Sequence, residues 1–262
     1  MIGEMSLFAT IIQNAYRINE TFDIVRYLED LCSPKDPYGW SSSGIYSFWN
    51  YDTKEVYYIG LAVDLAERFK QHNGLISMKE GGCKYTKIQE YFNSNDKLGY
   101  SVFLQSPLSQ PITRKNIESW FKYDLEQVSL QDFSREQSKI DLRHIEGILI
   151  ESFRMKFGRL PLWNSVGGST VGQSRTTLGN YDIVYDFSHQ RNSPLVSRST
   201  LKEISENPTY EVYESFLHGI RQYILYSGLT FEEALFHIRK HNLSNTYNRI
   251  EEENYLSKEL IY

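Results

Sequence analysis

Two short runs rich in aromatic and β-branched residues, Gly44–Trp49 and Glu55–Leu61, are joined by the turn-like Asn50-Tyr51-Asp52-Thr53-Lys54. Such side chains fit a pleated, half-buried surface, and the connection is too short for a crossover helix, so the pair reads as an antiparallel hairpin. Alternate strand residues share a face, which lets Tyr46 and Tyr58 present both hydroxyls to one surface. Asp64 is then placed to cap a helix running through Gln71 or His72, with Gly74 as its stop. Arg68 and His72, four residues apart, lie on one face of that helix a turn from each other.

Around this hairpin the pattern divides the chain in three. Leu7, Ile11, Ile12 and Ala15, then Ile24, Tyr27, Leu28 and Leu31, recur at helical spacing and predict a helical extension over residues 1–40, broken by Ser33-Pro34-Lys35-Asp36-Pro37. A core over 41–170 holds the hairpin, a third strand at Tyr100–Leu104, an insertion around 105–134, and a long helix over 135–157 that ends at Gly158. Gly167-Gly168-Ser169-Thr170 and Gly172-Gln173-Ser174 read as a polar, flexible stretch. Capping-box patterns at Thr200…Glu203 and Thr230…Glu233 then make 171–262 a mostly helical extension.

Gly44-Ile45-Tyr46 and Tyr58-Ile59-Gly60, followed by Asp64-Leu65 with Arg68 and His72, together resemble the catalytic core of the GIY-YIG endonucleases. The resemblance implies an α/β (α+β) fold: a small three-stranded antiparallel sheet flanked by helices. It also implies a metal-dependent endodeoxyribonuclease. Within it, Mg²⁺ (Mn²⁺ able to substitute) sits on a helical glutamate, Arg68 meets the scissile phosphate, and Tyr46 activates water. A neighbouring cation or His72 stabilises the phenolate or accepts its proton, and Tyr58 orients water or phosphate; the sequence does not separate the roles of the two tyrosines. Glu146, in Glu-x-x-x-Ile, fits the metal position, with Glu151 as competitor. Asn164 completes the set, bonding a phosphate or stabilising the nearby loop. Pro161-Leu162-Trp163-Asn164 resembles the family's type II restriction enzymes, which implies site-specific cutting of double-stranded DNA by a homodimer or higher homo-oligomer. A phage or mobile-element endonuclease of loose specificity, and a non-catalytic DNA-binding protein that keeps the fold, are the alternatives.

The formal charge of −5 is unusual for a chain that binds phosphates, but the acidic excess falls outside the motif-bearing segment: residues 41–170 hold 16 basic and 15 acidic side chains. Binding would therefore rest on local clusters and a metal ion. Lys84 and Lys87, interleaved with Tyr85 and Tyr91, read as a DNA-contacting loop or as an ordinary solvated one. Cys32 and Cys83 are the only cysteines and form no Cys/His cluster, which excludes a structural zinc site. No stretch approaches the ~20 apolar residues of a membrane span, and a cytoplasmic protein is expected. His237 and His241 have a metal-like spacing without a third ligand; Asp182, Asp186 and His189 are similarly suggestive and unsupported.

Overall fold

In the computed structural model, residues 8–33, 40–77, 84–120, 136–190, 193–239 and 245–262 are described. Their centre is a four-stranded antiparallel sheet: β1 (Phe8–Tyr16), β2 (Gly44–Asn50), β3 (Val56–Ala62) and β4 (Leu98–Gln105), in the order β1-β4-β2-β3. The hairpin pairs Tyr46 with Gly60 and Phe48 with Tyr58, and β2 pairs on its other side with β4. Asn50 shapes the turn, its side-chain oxygen accepting from the amides of Asp52 (2.9 Å) and Thr53 (2.8 Å). Gly44 is needed for close pairing, because a Cβ there would lie 2.5 Å from the Phe103 carbonyl oxygen.

Strand β1 corrects two expectations. Residues 8–16 are a strand rather than a helix, and the sheet has four strands rather than three. All nine residues of β1 are buried, because both faces of the sheet are covered, so the polar–apolar alternation that marks a half-exposed strand is absent. Its polar residues are satisfied across the fold. Gln13 donates to the carbonyl oxygens of Asp186 and His189, and Thr10 meets His218 Nδ1 at 2.9 Å. Residues 1–40 are thus no separable helical extension; α1 (Thr21–Leu31) is helical, while β1 is part of the sheet.

On one face, Tyr16, Tyr46, Phe48, Tyr100 and Val102 pack against α1 and α2 (Leu65–His72), with α3 (Tyr85–Phe92) beside them. The insertion carries α4 (Arg114–Trp120), and residues 121–134 of it lie outside the described residues. On the other face, Ile45, Trp49, Ile59 and Phe103 pack against α5 (Glu136–Phe157) through Leu142, Ile145, Leu149 and Phe153. The glycine-rich stretch, expected to be flexible, instead includes a short helix, α6 (Thr170–Ser174), capped by Ser169 and seated against α5. Gly147 and Gly172 make that approach possible; a Cβ on Gly172 would stand 2.3 Å from the His144 carbonyl oxygen.

The C-terminal third is also built onto the sheet. After α7 (Tyr181–Tyr185), Val196 bridges to Ile11, and α8 (Leu201–Glu206) and α9 (Pro208–Ser227) follow. α9 carries a buried ion pair, Arg221–Glu214 at 2.6 Å, in which Arg221 also donates to Thr10 Oγ1 and the carbonyls of Pro194 and Val196. Tyr255, beyond α10 (Phe231–Arg239) and α11 (Thr246–Glu252), donates to Glu214 at 2.8 Å. A buried pair with its remaining groups hydrogen-bonded escapes most of the desolvation penalty. No described helix is long and apolar enough to cross a membrane.

His218 joins α9 to β1 and is held neutral by burial and by the charge of Arg221, with its pKa pushed down to about 3. In the unfolded chain it gains a proton below about 6.5 that the fold refuses, so its stabilising contribution is present above that pH and is lost as the pH falls towards 3. The stability difference between wild type and His218→Gln, measured by urea unfolding, should therefore shift against wild type by about 1 kcal/mol between pH ~7.5 and ~5.5. A pH-independent difference would contradict the burial of a neutral ring.

Candidate active site

β3 is an edge strand, and its alternate residues turn peptide groups away from the sheet. Three consecutive outward positions are occupied by residues from α5 and the loop after it. The Trp163 amide donates to the Tyr57 carbonyl (2.8 Å); Asn164 accepts from the Ile59 amide (3.0 Å) and donates to its carbonyl (2.8 Å); and Glu146 Oε1 accepts from the Leu61 amide (3.2 Å). This edge brings Glu146 and Asn164, more than 80 residues downstream, beside the YIG segment.

On the sheet face above that edge, the Tyr46 and Tyr58 rings lie 5.7 Å apart, and the His72 ring packs 5.5 Å from Tyr46 and 5.8 Å from Tyr58. Gly60 provides the space. A Cβ there would fall 2.7 Å from the Tyr58 ring and 2.8 Å from the Tyr46 hydroxyl. α2 supplies Arg68 and His72, its first turn capped by Asp64 accepting from the Glu67 amide at 2.9 Å.

The protonation of His72 follows from its partners. The Lys84 amide reaches His72 Nδ1 at 3.0 Å, and an amide N–H can only donate, so Nδ1 carries no proton. Burial, aided by the charges of Arg68 and Lys84, pushes the His72 pKa down to about 3, so the ring is neutral and its single proton resides on Nε2. That N–H donates to the Tyr46 hydroxyl oxygen at 2.6 Å. Of the two roles expected for His72, the geometry selects the donor to Tyr46 over the acceptor of its proton.

Burial raises the Tyr46 pKa well above 10, with Tyr58 adding to the rise and Arg68 opposing it. Tyr58 is likewise raised by burial, and the charge of Glu146 adds to this while Tyr46 and Arg68 oppose it. Burial pushes Glu146 up to about 7 against the Leu61 amide and Arg68. Arg68 is thus coupled to each of the other four groups, as a fixed positive charge among them should be.

Glu151 faces elsewhere. Its two oxygens accept from Arg154 Nε (2.7 Å) and Nη2 (2.6 Å), a bidentate pair that lowers its pKa. Five residues along a helix turn Glu151 well away from the face carrying Glu146. Among the described residues no group of three or more His, Cys, Asp or Glu gathers. Glu146, with one oxygen on a backbone amide and no further hydrogen-bond partner among the described residues, nevertheless has the donor chemistry of Mg²⁺, a hard cation held by one or two carboxylates and completed by water and substrate phosphate.

Asn164 is brought to the site, where its side-chain amide both accepts from and donates to Ile59 and so positions the loop. Lys84 joins the site through its amide on His72 and its ammonium 4.9 Å from the Tyr58 ring centre. Lys87 instead pairs with Glu90 at 3.2 Å. Asp186 and His189 have structural partners, with Asp186 accepting from Ser193 and His189 stacked on Tyr185 at 3.8 Å, while Asp182 lies in the first turn of α7. His237 stacks beside Tyr223, and His241 lies outside the described residues. Sequence reasoning missed the residues Thr113-Arg114-Lys115, which line a cleft of about 360 Å³ with Arg68; no motif marks them. No protein-family model, curated protein or solved structure matches the chain.

The tautomer has a direct readout. In ¹⁵N-labelled protein, His72 should show a pyrrole-type Nε2 and a pyridine-type Nδ1 throughout the neutral range, without titrating near pH ~6.5. A protonated Nδ1, or titration at the ordinary histidine pKa, would overturn the assignment.

Proposed function

We propose that this protein is a divalent-metal-dependent endonuclease that hydrolyses phosphodiester bonds of double-stranded DNA. The observation carrying this reading is the convergence of Tyr46, Tyr58, Arg68, His72 and Glu146 beside the edge strand β3, on residues that resemble the GIY-YIG core. Phosphodiester hydrolysis requires a positioned, deprotonated water, charge neutralisation at phosphorus and stabilisation of the leaving oxygen. A divalent cation held by Glu146 would supply charge neutralisation at the phosphate and stabilisation of the leaving oxygen. The chain's own groups account for the rest.

Arg68 offers a planar, permanently charged donor to the phosphate oxygens. Tyr46 is the base. One lone pair of its oxygen is taken by the Nε2–H of His72, which favours the phenolate. Tyr58, packed against Tyr46, orients the water or the phosphate. Because burial holds Tyr46 protonated, loss of its proton limits the rate at neutral pH, and activity rises into the alkaline range.

The fuller reading is a type II restriction enzyme acting as a homodimer. It is supported by the likeness of Pro161–Asn164 to those enzymes and by the placement of that loop on β3 beside the site. Sequencing ends cut from a random DNA pool separates this from a loosely specific nuclease, since only the former leaves one recurrent site. A non-catalytic DNA-binding role is less favoured, because such a role needs neither the buried Tyr46–His72 pair nor Glu146.

Incubated with duplex DNA and Mg²⁺, wild type should cut, Glu146→Gln should lose at least ~100-fold in rate, and Glu151→Gln should stay within a few-fold of wild type. Full activity in Glu146→Gln, or absence of cutting by wild type with both Mg²⁺ and Mn²⁺, would refute the proposal.

A further inference from the structure

The cleft that Arg68 shares with the insertion is built rather than incidental. Thr113 and Asn116 fix its outer wall reciprocally: the Thr113 amide and hydroxyl donate to Asn116 Oδ1 at 2.7 and 2.9 Å, and the Asn116 amide donates back to Thr113 Oγ1 at 3.2 Å. The preceding loop is tied to the start of β2, where Gln110 Oε1 accepts from the Ser42 amide (3.1 Å) and the Ser41 hydroxyl (3.2 Å). The wall is therefore registered against the strand that carries Tyr46.

The charges of the cleft are unequal in availability. Lys115 is held by Asp64 and Glu67, 2.7 Å from each, so its charge is spent on these carboxylates and offsets one of the two. Arg114, its neighbour, is exposed and has no acidic partner among the described residues. A guanidinium left unpaired on the rim of a cleft that already holds Arg68 creates a local positive site in a chain whose overall charge is negative. At about 360 Å³, the cleft falls in the ~300–1,000 Å³ range of ligand sites.

We propose that this cleft seats a phosphodiester flanking the scissile one, with Arg114 as its cation and the Thr113–Asn116 cap holding that cation in register with Arg68. The assignment rests on the nuclease reading. It gives the insertion a function: it extends the phosphate track beyond Arg68 and supplies binding without touching the reacting atoms. Lys115 acts differently, fixing the wall to α2 through its ion pairs.

The test uses the full chain and a fluorescein-labelled duplex of random sequence, with Ca²⁺ replacing Mg²⁺ for binding and Mg²⁺ added for single-turnover cutting. Arg114→Ala should weaken binding about 10-fold across sequences and make the salt dependence shallower by about one counterion. At saturating enzyme it should cut within a few-fold of wild type, and Arg114→Lys should recover part of the affinity. Arg26→Ala, at an exposed arginine on α1, controls for loss of charge alone. Unchanged affinity and salt slope in Arg114→Ala, or an equal loss in Arg26→Ala, would overturn the proposal while leaving the nuclease reading intact. A wild type that neither binds nor cuts the duplex would remove both.

Discussion

An edge strand leaves every second peptide group without a partner in its sheet, and at β3 those groups are taken by Trp163, Asn164 and Glu146. A buried backbone group left unsatisfied costs about 1–3 kcal/mol, so the docking of α5 and its following loop is coupled to completing this edge. The same bonds fix the Glu146 carboxylate beside Leu61, within the field of Arg68 and Tyr58. The site is therefore placed mainly by backbone hydrogen bonding, and its side chains inherit their positions from the sheet.

Within that frame the electrostatics oppose one another. Burial keeps Tyr46 and Tyr58 protonated, pushes Glu146 up to about 7 and holds His72 neutral, so the protein alone favours an uncharged site around one arginine. Chemistry that needs a phenolate and a carboxylate must bring its own positive charge. The proposed mechanism meets this need with a cation on Glu146 and with His72 as a donor to Tyr46, each of which offsets the cost of an anion that burial disfavours. On that proposal the negative net charge is tolerable, since cations are needed only along the cleft.

Much of this was legible in the sequence, for identifiable reasons. The hairpin, the α2 cap and the shared face of Arg68 and His72 are local features, set by alternation, an Asp at the N-cap and i,i+4 spacing. Strand β1 was not legible, because a strand buried on both faces loses its period of two, and Ile11, Ile12 and Ala15 then fit helical spacing by coincidence. Glu146 and Glu151 both looked suitable; what separates them is the distant Leu61 amide on Glu146 and the neighbouring Arg154 on Glu151. The His72 tautomer depends on a backbone amide twelve residues away, and Arg114 becomes meaningful only once Asp64 and Glu67 are seen to hold Lys115.

The central claim is that Tyr46, held by the Nε2–H of His72, is the base of a phosphodiester hydrolysis. It is tested most directly by the pH dependence of single-turnover duplex cleavage in wild type and Tyr46→Phe, with circular dichroism confirming that both are folded. The wild-type rate should rise with pH, through the neutral range as Glu146 ionises and into the alkaline range as Tyr46 does, and Tyr46→Phe should lose about 10²–10⁴-fold together with the alkaline part of that dependence. A folded Tyr46→Phe that cuts within a few-fold of wild type and keeps the same pH profile would contradict the account.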